Sequence, residues 1–146
     1  MKPRYALADT NVLLDIALPK RPQHIDAVSL LDEVSVNALT LCVSAGSLKD
    51  VYYLLTKYSN EVTARSYIKQ LLVLVEIAPV DESICQLALA SDEPDFEDGI
   101  IRACAELTGV DFILSRDENA FRTSPVRRLS PAEYMELFVR SEKIEL

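Results

Sequence analysis

The chain has 146 residues, 49% of them apolar, enough to wrap one hydrophobic core and too little for two ordinary domains. Its 15 Lys and Arg against 23 Asp and Glu leave a net charge of −8, which excludes the broadly basic surface of a typical nucleic-acid binder. No run approaches the roughly 18 to 20 apolar residues of a bilayer span, and Met1-Lys2-Pro3-Arg4-Tyr5 does not open a signal peptide, so a cytoplasmic location is expected.

In chain order, Tyr5-Ala6-Leu7-Ala8 is a short apolar strand ending at Asp9, and Thr10 is placed to cap a helix carrying Val12, Leu13, Ile16 and Ala17. Pro19 and Pro22 break the chain before a second helix with Ile25, Val28, Leu30, Leu31 and Val34 at helical spacing. Leu39-Thr40-Leu41-Cys42-Val43 is rich in strand formers and stops at Ser44, a good cap for the apolar segment through Tyr58. Ala64, Ile68, Leu71, Leu72 and Val75 mark another amphipathic helix, followed by a short strand between Val75 and Pro79.

Asp81 is placed to cap a helix with Ile84, Leu87 and Ala88 inward, and a further helix with Phe96, Ile100, Ala103, Cys104 and Leu107 inward ends at Gly109. Phe112-Ile113-Leu114-Ser115 and Val126 to Leu129 read as strands, and Ser130-Pro131 with Glu133 opens a last helix before a polar tail from Ser141. This alternation predicts a three-layer α/β/α fold around a mostly parallel sheet of about five strands, with residues 1–146 as one domain. Cys42, Cys85 and Cys104 lie in apolar segments without metal or disulfide spacing and read as buried thiols.

Acids fall where such a sheet collects function. Asp9 follows the first strand directly and Asp117 follows Leu114-Ser115-Arg116, so both belong to the carboxyl ends of strands. Each is equally an ordinary turn former or helix cap when taken alone. Asp50 sits among Leu48, Val51, Tyr52, Tyr53, Leu54 and Leu55, a helix apolar around most of its circumference, where an ionised carboxylate needs a cation or donors beside it. In Asp95-Phe96-Glu97-Asp98-Gly99-Ile100-Ile101-Arg102, helical spacing puts Asp95, Asp98 and Arg102 on one face, while Asp95 and Glu97 also suit a helix N-terminus. Gly99 costs about 1 kcal/mol against alanine in a helix, which suggests a close backbone approach or room for a substrate.

Four convergent carboxylates without His or Cys describe a hard oxygen site suited to Mg²⁺ or Mn²⁺, ions that activate water and stabilise charge in phosphoryl transfer. Asp9, Asp50, Asp98 and Asp117 account for half of the −8, and two divalent cations would offset them. Local basic groups, Lys20-Arg21 and Arg116, Arg122, Arg127 and Arg128, supply candidate phosphate contacts. The sole histidine, His24, reads as a surface residue.

The blocks Ala8-Asp9-Thr10-Asn11-Val12-Leu13-Leu14-Asp15, Ser44 with Asp50, Asp95-Phe96-Glu97-Asp98, and Ser115-Arg116-Asp117 with Phe121 together resemble the PIN-domain family, most closely its bacterial VapC-type toxins. The resemblance spans nearly the whole chain. It implies a parallel α/β/α fold, Mg²⁺- or Mn²⁺-dependent hydrolysis of RNA, a homodimer, and a small antitoxin as partner. By position it makes Asp9, Asp98 and Asp117 metal-site acids and sets Asp50 where glutamate is commoner, one methylene longer. Asn11 and Ser115 match supporting polar positions, Asp95 becomes an extra ligand candidate, and Ala120 stands where relatives often carry aspartate. A non-catalytic module with the same fold is the alternative. A receiver-like phosphoacceptor fits poorly, since Asp9 is followed by Thr10 rather than a second acid and no lysine closely follows Asp117.

Overall fold

The computed structural model describes residues 2–141. Five strands, β1 (Arg4–Ala8), β2 (Leu39–Ser44), β3 (Glu76–Ala78), β4 (Phe112–Leu114) and β5 (Arg127–Leu129), form one sheet in the order β3-β2-β1-β4-β5. Every pairing is parallel, from Arg4 opposite Leu39 to Leu114 opposite Leu129. The helices are α1 (Thr10–Ala17), α2 (His24–Ser35), α3 (Ala45–Tyr58), α4 (Glu61–Leu74), α5 (Glu82–Ala90), α6 (Phe96–Thr108) and α7 (Pro131–Met135), the last continued by a π-helical stretch, Glu136–Arg140.

Side-chain alternation along each strand assigns the helices to two faces. Ala6 and Ala8 of β1, Leu41 and Val43 of β2 and Leu114 of β4 join a core with α1, α2, α3, α4 and α7. Leu7, Cys42 and Ile113, one residue out of phase, join a second core with α5 and α6. The result is the expected three-layer α/β/α arrangement. Among the described residues no helix is long and apolar enough to cross a membrane.

From β1 the chain steps outward through β2 to β3, then returns to the other side of β1 for β4 and β5. The reversal opens a crevice between the carboxyl ends of β1 and β4, the place where open α/β sheets bind ligands.

Several expected packing details differ. Asp9, not Thr10, caps α1: its backbone N–H still pairs with the Leu114 carbonyl at 3.0 Å, and its carboxylate accepts the Val12 N–H at 3.0 Å. The strand thus hands directly over to the helix, and the Thr10 hydroxyl instead donates to Ser47 Oγ on α3 at 3.0 Å. Ile25, Leu72, Leu87, Phe96 and Leu107 were expected inward but are exposed. On α6 the buried stripe is Gly99, Ile101, Ala103, Cys104 and Ala105, because small residues let α6 lie tightly against α5 and the sheet. A Cβ on Gly99 would stand 2.6 Å from the Ala88 carbonyl oxygen, so this glycine serves close helix approach. Cys42 and Cys104 are buried as expected, whereas Cys85 is only half-buried.

Most of the apolar pattern of the last helix is used within the chain, with Tyr134, Phe138 and Val139 at the core and Leu137 exposed. Tyr134 is fully buried, its ring 6.4 Å from that of Phe112 and 5.1 Å from that of Phe138, and the Arg4 guanidinium lies 4.3 Å from the Phe138 ring centre.

Candidate metal centre at the switch point

The crevice gathers acids from three elements. Asp9 arrives at the end of β1 and is held by its capping role. Burial pushes its carboxyl up to about 6; hydrogen bonds from the Ser115 hydroxyl and the Val12 N–H oppose this, Glu97 adds to the rise, and Arg116 counters it. Asp98 stands in the first turn of α6, where its N–H donates to the capping Asp95 carboxylate at 2.8 Å. Burial, then the charges of Asp95, Asp117, Glu97 and Asp9, raise Asp98 to about 7. The charges of these four acids thus act on Asp98 from around the crevice.

Asp117 follows β4 and is exposed. Its N–H donates to Ser115 Oγ at 3.1 Å, and its carboxylate accepts the Asn119 N–H at 2.9 Å, which turns the chain back toward β5. Ser115, fully buried, therefore touches both ends of the site through one hydroxyl, hydrogen-bonding Asp9 and fixing the Asp117 backbone. Asp9, Asn11, Arg116 and Asp117 line a cleft of about 400 Å³.

Asp50 occupies the rim. It is half-buried and lines an adjoining cleft of about 270 Å³ with Asn11, Tyr53 and Glu97. Its helix is fully buried only along Ser47, Val51 and Leu55, while Leu48, Tyr52 and Leu54 pack half-buried against the core and Tyr53 and Tyr58 are exposed. The expectation of a deeply buried carboxylate needing its own cation is therefore corrected. Arg102 does not face the crevice with Asp98 either; it turns to Asp92, Glu93 and Glu106, at 2.8, 3.0 and 3.1 Å.

Two participants were missed from the sequence. Glu97, taken for an ordinary first-turn acid, lies beside Asp50 and raises both Asp9 and Asp98. Asp15 is fully buried and accepts Arg116 Nε at 3.0 Å and an Arg21 nitrogen at 3.3 Å. This buried carboxylate fixes Arg116 at the wall of the crevice. A lone acid inside the apolar run Val12 to Ala17 was the available signal. His24, expected at the surface, is half-buried with Nδ1 2.8 Å from the Asp15 carbonyl oxygen, and so ties α2 to the end of α1.

An all-carboxylate donor set without His or Cys suits a hard divalent cation. Burial raises both Asp9 and Asp98, and neighbouring acids raise Asp98 further, so a cation in the crevice would offset the cost of charging them. Among the described residues no three such side chains converge closely enough to hold an ion between them.

A parallel α/β/α sheet with acids gathered at its switch point defines a structural class, and the sequence places the chain within it. Residues 5–119 match the PIN domain family model, and the chain belongs to that family. It is 28% identical over 141 residues, 93% of this chain and 96% of the relative, to Ribonuclease VapC1 of Aquifex aeolicus (strain VF5). Its fold is similar to that of Mycobacterium tuberculosis VapC20, a sarcin-ricin loop cleaving toxin, with a TM-score of 0.68 at 16% identity over 83% of this chain and 95% of that one. FitAcB from Neisseria gonorrhoeae superposes with a TM-score of 0.63 at 24% identity, over 87% and 98% of the two chains. A toxin–antitoxin complex from Klebsiella pneumoniae gives 0.65 at 22% identity, over 86% and 97%.

Proposed function

We propose that this protein is a metal-dependent endoribonuclease of the cytoplasm, the toxin of a toxin–antitoxin pair, acting on RNA phosphodiesters with Mg²⁺ or Mn²⁺. The observation that carries this reading is the gathering of acids around Asp98 at the switch point of a PIN fold, in a chain similar along its length to a protein named ribonuclease. Asp9, Asp98 and Asp117 would hold the cation, with Asp50 and Asp95 at the margin and Asn11 and Ser115 supporting the first and last acids. A bound divalent cation supplies an activated water and charge stabilisation at the phosphate.

The chain's own residues do the positioning. Capping fixes Asp9, the buried Ser115 hydroxyl registers Asp9 against Asp117, and Asp15 holds the Arg116 guanidinium beside Asp117, where it can meet a phosphate oxygen. Arg116 thereby provides the local positive charge that the net −8 lacks.

An antitoxin partner is supported by the structural neighbour from Klebsiella pneumoniae, which is itself a toxin–antitoxin complex. A homodimer rests on the family resemblance, since Tyr134, Phe138 and Val139 already pack inside the monomer.

The deciding experiment incubates wild type and Asp9→Asn with labelled single-stranded RNA in Mn²⁺, Mg²⁺ or EDTA. Asn keeps the cap acceptor, so the fold survives while the charge is lost. Cleavage by wild type alone, abolished by EDTA, is the expected result. Metal binding without RNA turnover would favour the non-catalytic alternative, and undiminished cleavage by Asp9→Asn would refute the site.

A further inference from the structure

The outer face of α3 carries Lys49, Tyr53 and Lys57, four residues apart and all exposed, so they form a stripe along one side of the helix. Tyr53 keeps 57% of its surface open. It lines the cleft that holds Asp50 and Glu97, and that cleft meets the Asp9–Asp117 cleft at Asn11, which borders both. Lys57 Nζ stands 4.7 Å from the Tyr53 ring centre and covers one face of the ring.

The neighbouring Tyr52 behaves differently: it packs against the larger core and takes Arg65 over its ring. Core packing therefore accounts for Tyr52 and not for Tyr53. The rigidity of the stripe comes from the start of α3, where Ser44 caps the helix and Ser47 receives the Thr10 hydroxyl from α1.

We propose that Lys49, Tyr53 and Lys57 form the platform that receives the unpaired strand of RNA next to the acid crevice, Tyr53 stacking on one base and the two lysines meeting the flanking phosphates. It rests on the ribonuclease reading for the substrate class and assigns the contacts with the base and its flanking backbone to the outer face of α3. A flat ring flanked by cations suits an unstacked base and its backbone, whereas base faces inside a duplex are already covered. In a chain of net charge −8, two lysines beside the acids also give the phosphate backbone a local foothold.

The test measures binding of a short labelled single-stranded RNA and its duplex by anisotropy in EDTA, and cleavage in Mn²⁺, for wild type, Tyr53→Ala, Tyr53→Phe and Lys49→Ala/Lys57→Ala. Tyr53→Ala should weaken single-strand binding roughly tenfold and raise KM more than it lowers kcat, while Tyr53→Phe, which keeps the stacking face, stays near wild type. The lysine pair should flatten the salt dependence of binding by roughly 1 to 2 in slope. Single-strand binding by Tyr53→Ala equal to wild type overturns the platform even if wild type cleaves RNA. Stacking-dependent binding without any cleavage would instead remove the ribonuclease reading and leave the platform standing. If light scattering shows that Tyr53→Ala only dissociates a dimer, with RNA affinity unchanged, the stripe is an interface between copies and the proposal falls.

Discussion

The start and the middle of α6 place carboxylates in opposite circumstances. Near its start, Asp98 faces Asp95, Asp117, Glu97 and Asp9 and is raised to about 7. Alongside its middle, Asp92, Glu93 and Glu106 surround Arg102, and Asp92 is held below its ordinary value by the Thr123 hydroxyl and then by Arg102. Glu93, only 3% exposed, spends its second oxygen on the Phe121 N–H at 2.8 Å. One group of acids is fully answered by donors and pins the Phe121 turn to α6. The other is held by backbone N–H groups and the Ser115 hydroxyl, with no cationic side chain in an ion pair with Asp95, Asp98 or Asp117 among the described residues, the condition expected of groups arranged to meet a cation.

Breaking the crevice group should cost activity and spare the fold. Asp98→Asn is expected to lower metal-dependent cleavage by roughly a hundredfold or more. The thermal midpoint should stay level or rise, because an uncompensated carboxylate has been removed. A large fall in both would mean that Asp98 is a structural acid. Breaking the answered group should do the reverse: Arg102→Ala leaves the buried Glu93 charge without its partner and should cost about 3 kcal/mol in urea denaturation. Its kcat should remain within about twofold of wild type, since Arg102 faces away from the crevice.

Gly99 joins the two regions, one residue after Asp98 and against Ala88. Gly99→Ala sets a Cβ 2.6 Å from the Ala88 carbonyl oxygen, a backbone atom that cannot swing aside. Overpacking of about 1 to 3 kcal/mol outweighs the roughly 1 kcal/mol gained in helix propensity, so a net loss of about 1 kcal/mol is expected in the same denaturation assay. A stabilised Gly99→Ala would show that α5 and α6 are free to separate.

How far these roles were legible depended on how local their causes are. The strand ends at Asp9 and Ser115 and the cap at Ser44 follow from short-range patterns, whereas the order β3-β2-β1-β4-β5 rests on long-range pairing that the pattern of single elements does not carry. Asp15 escaped notice because its partners are Arg21 and Arg116, and the latter lies 101 residues away in sequence. Glu97 escaped because a first-turn acid has an adequate local explanation, and only the tertiary approach of α3 and β1 gives it another. Asp50 was misjudged for a different reason: apolar side chains around a helix say how much surface wants cover, but which stripe receives it depends on the neighbours, here α1 and α4.

The same contrast predicts how stability responds to pH when no divalent cation is present. Asp9 and Asp98 bind protons more readily in the folded protein, at about 6 and about 7, than at their ordinary value of 3.8. A folded-state value raised above the unfolded one favours folding while the pH is below the unfolded value, and that contribution fades as pH climbs through the folded values. In EDTA the thermal midpoint should therefore fall by several degrees between about pH 5 and about pH 8. Adding Mn²⁺ should recover more of that loss at the higher pH, where the carboxylates are charged and the cation has no proton to displace. Asp98→Asn should flatten the profile, and Arg102→Ala should lower it without changing its shape. A wild-type midpoint that rises toward pH 8 in EDTA would mean that the crevice acids are answered by groups other than a cation, and the division between the start and the middle of α6 would not hold.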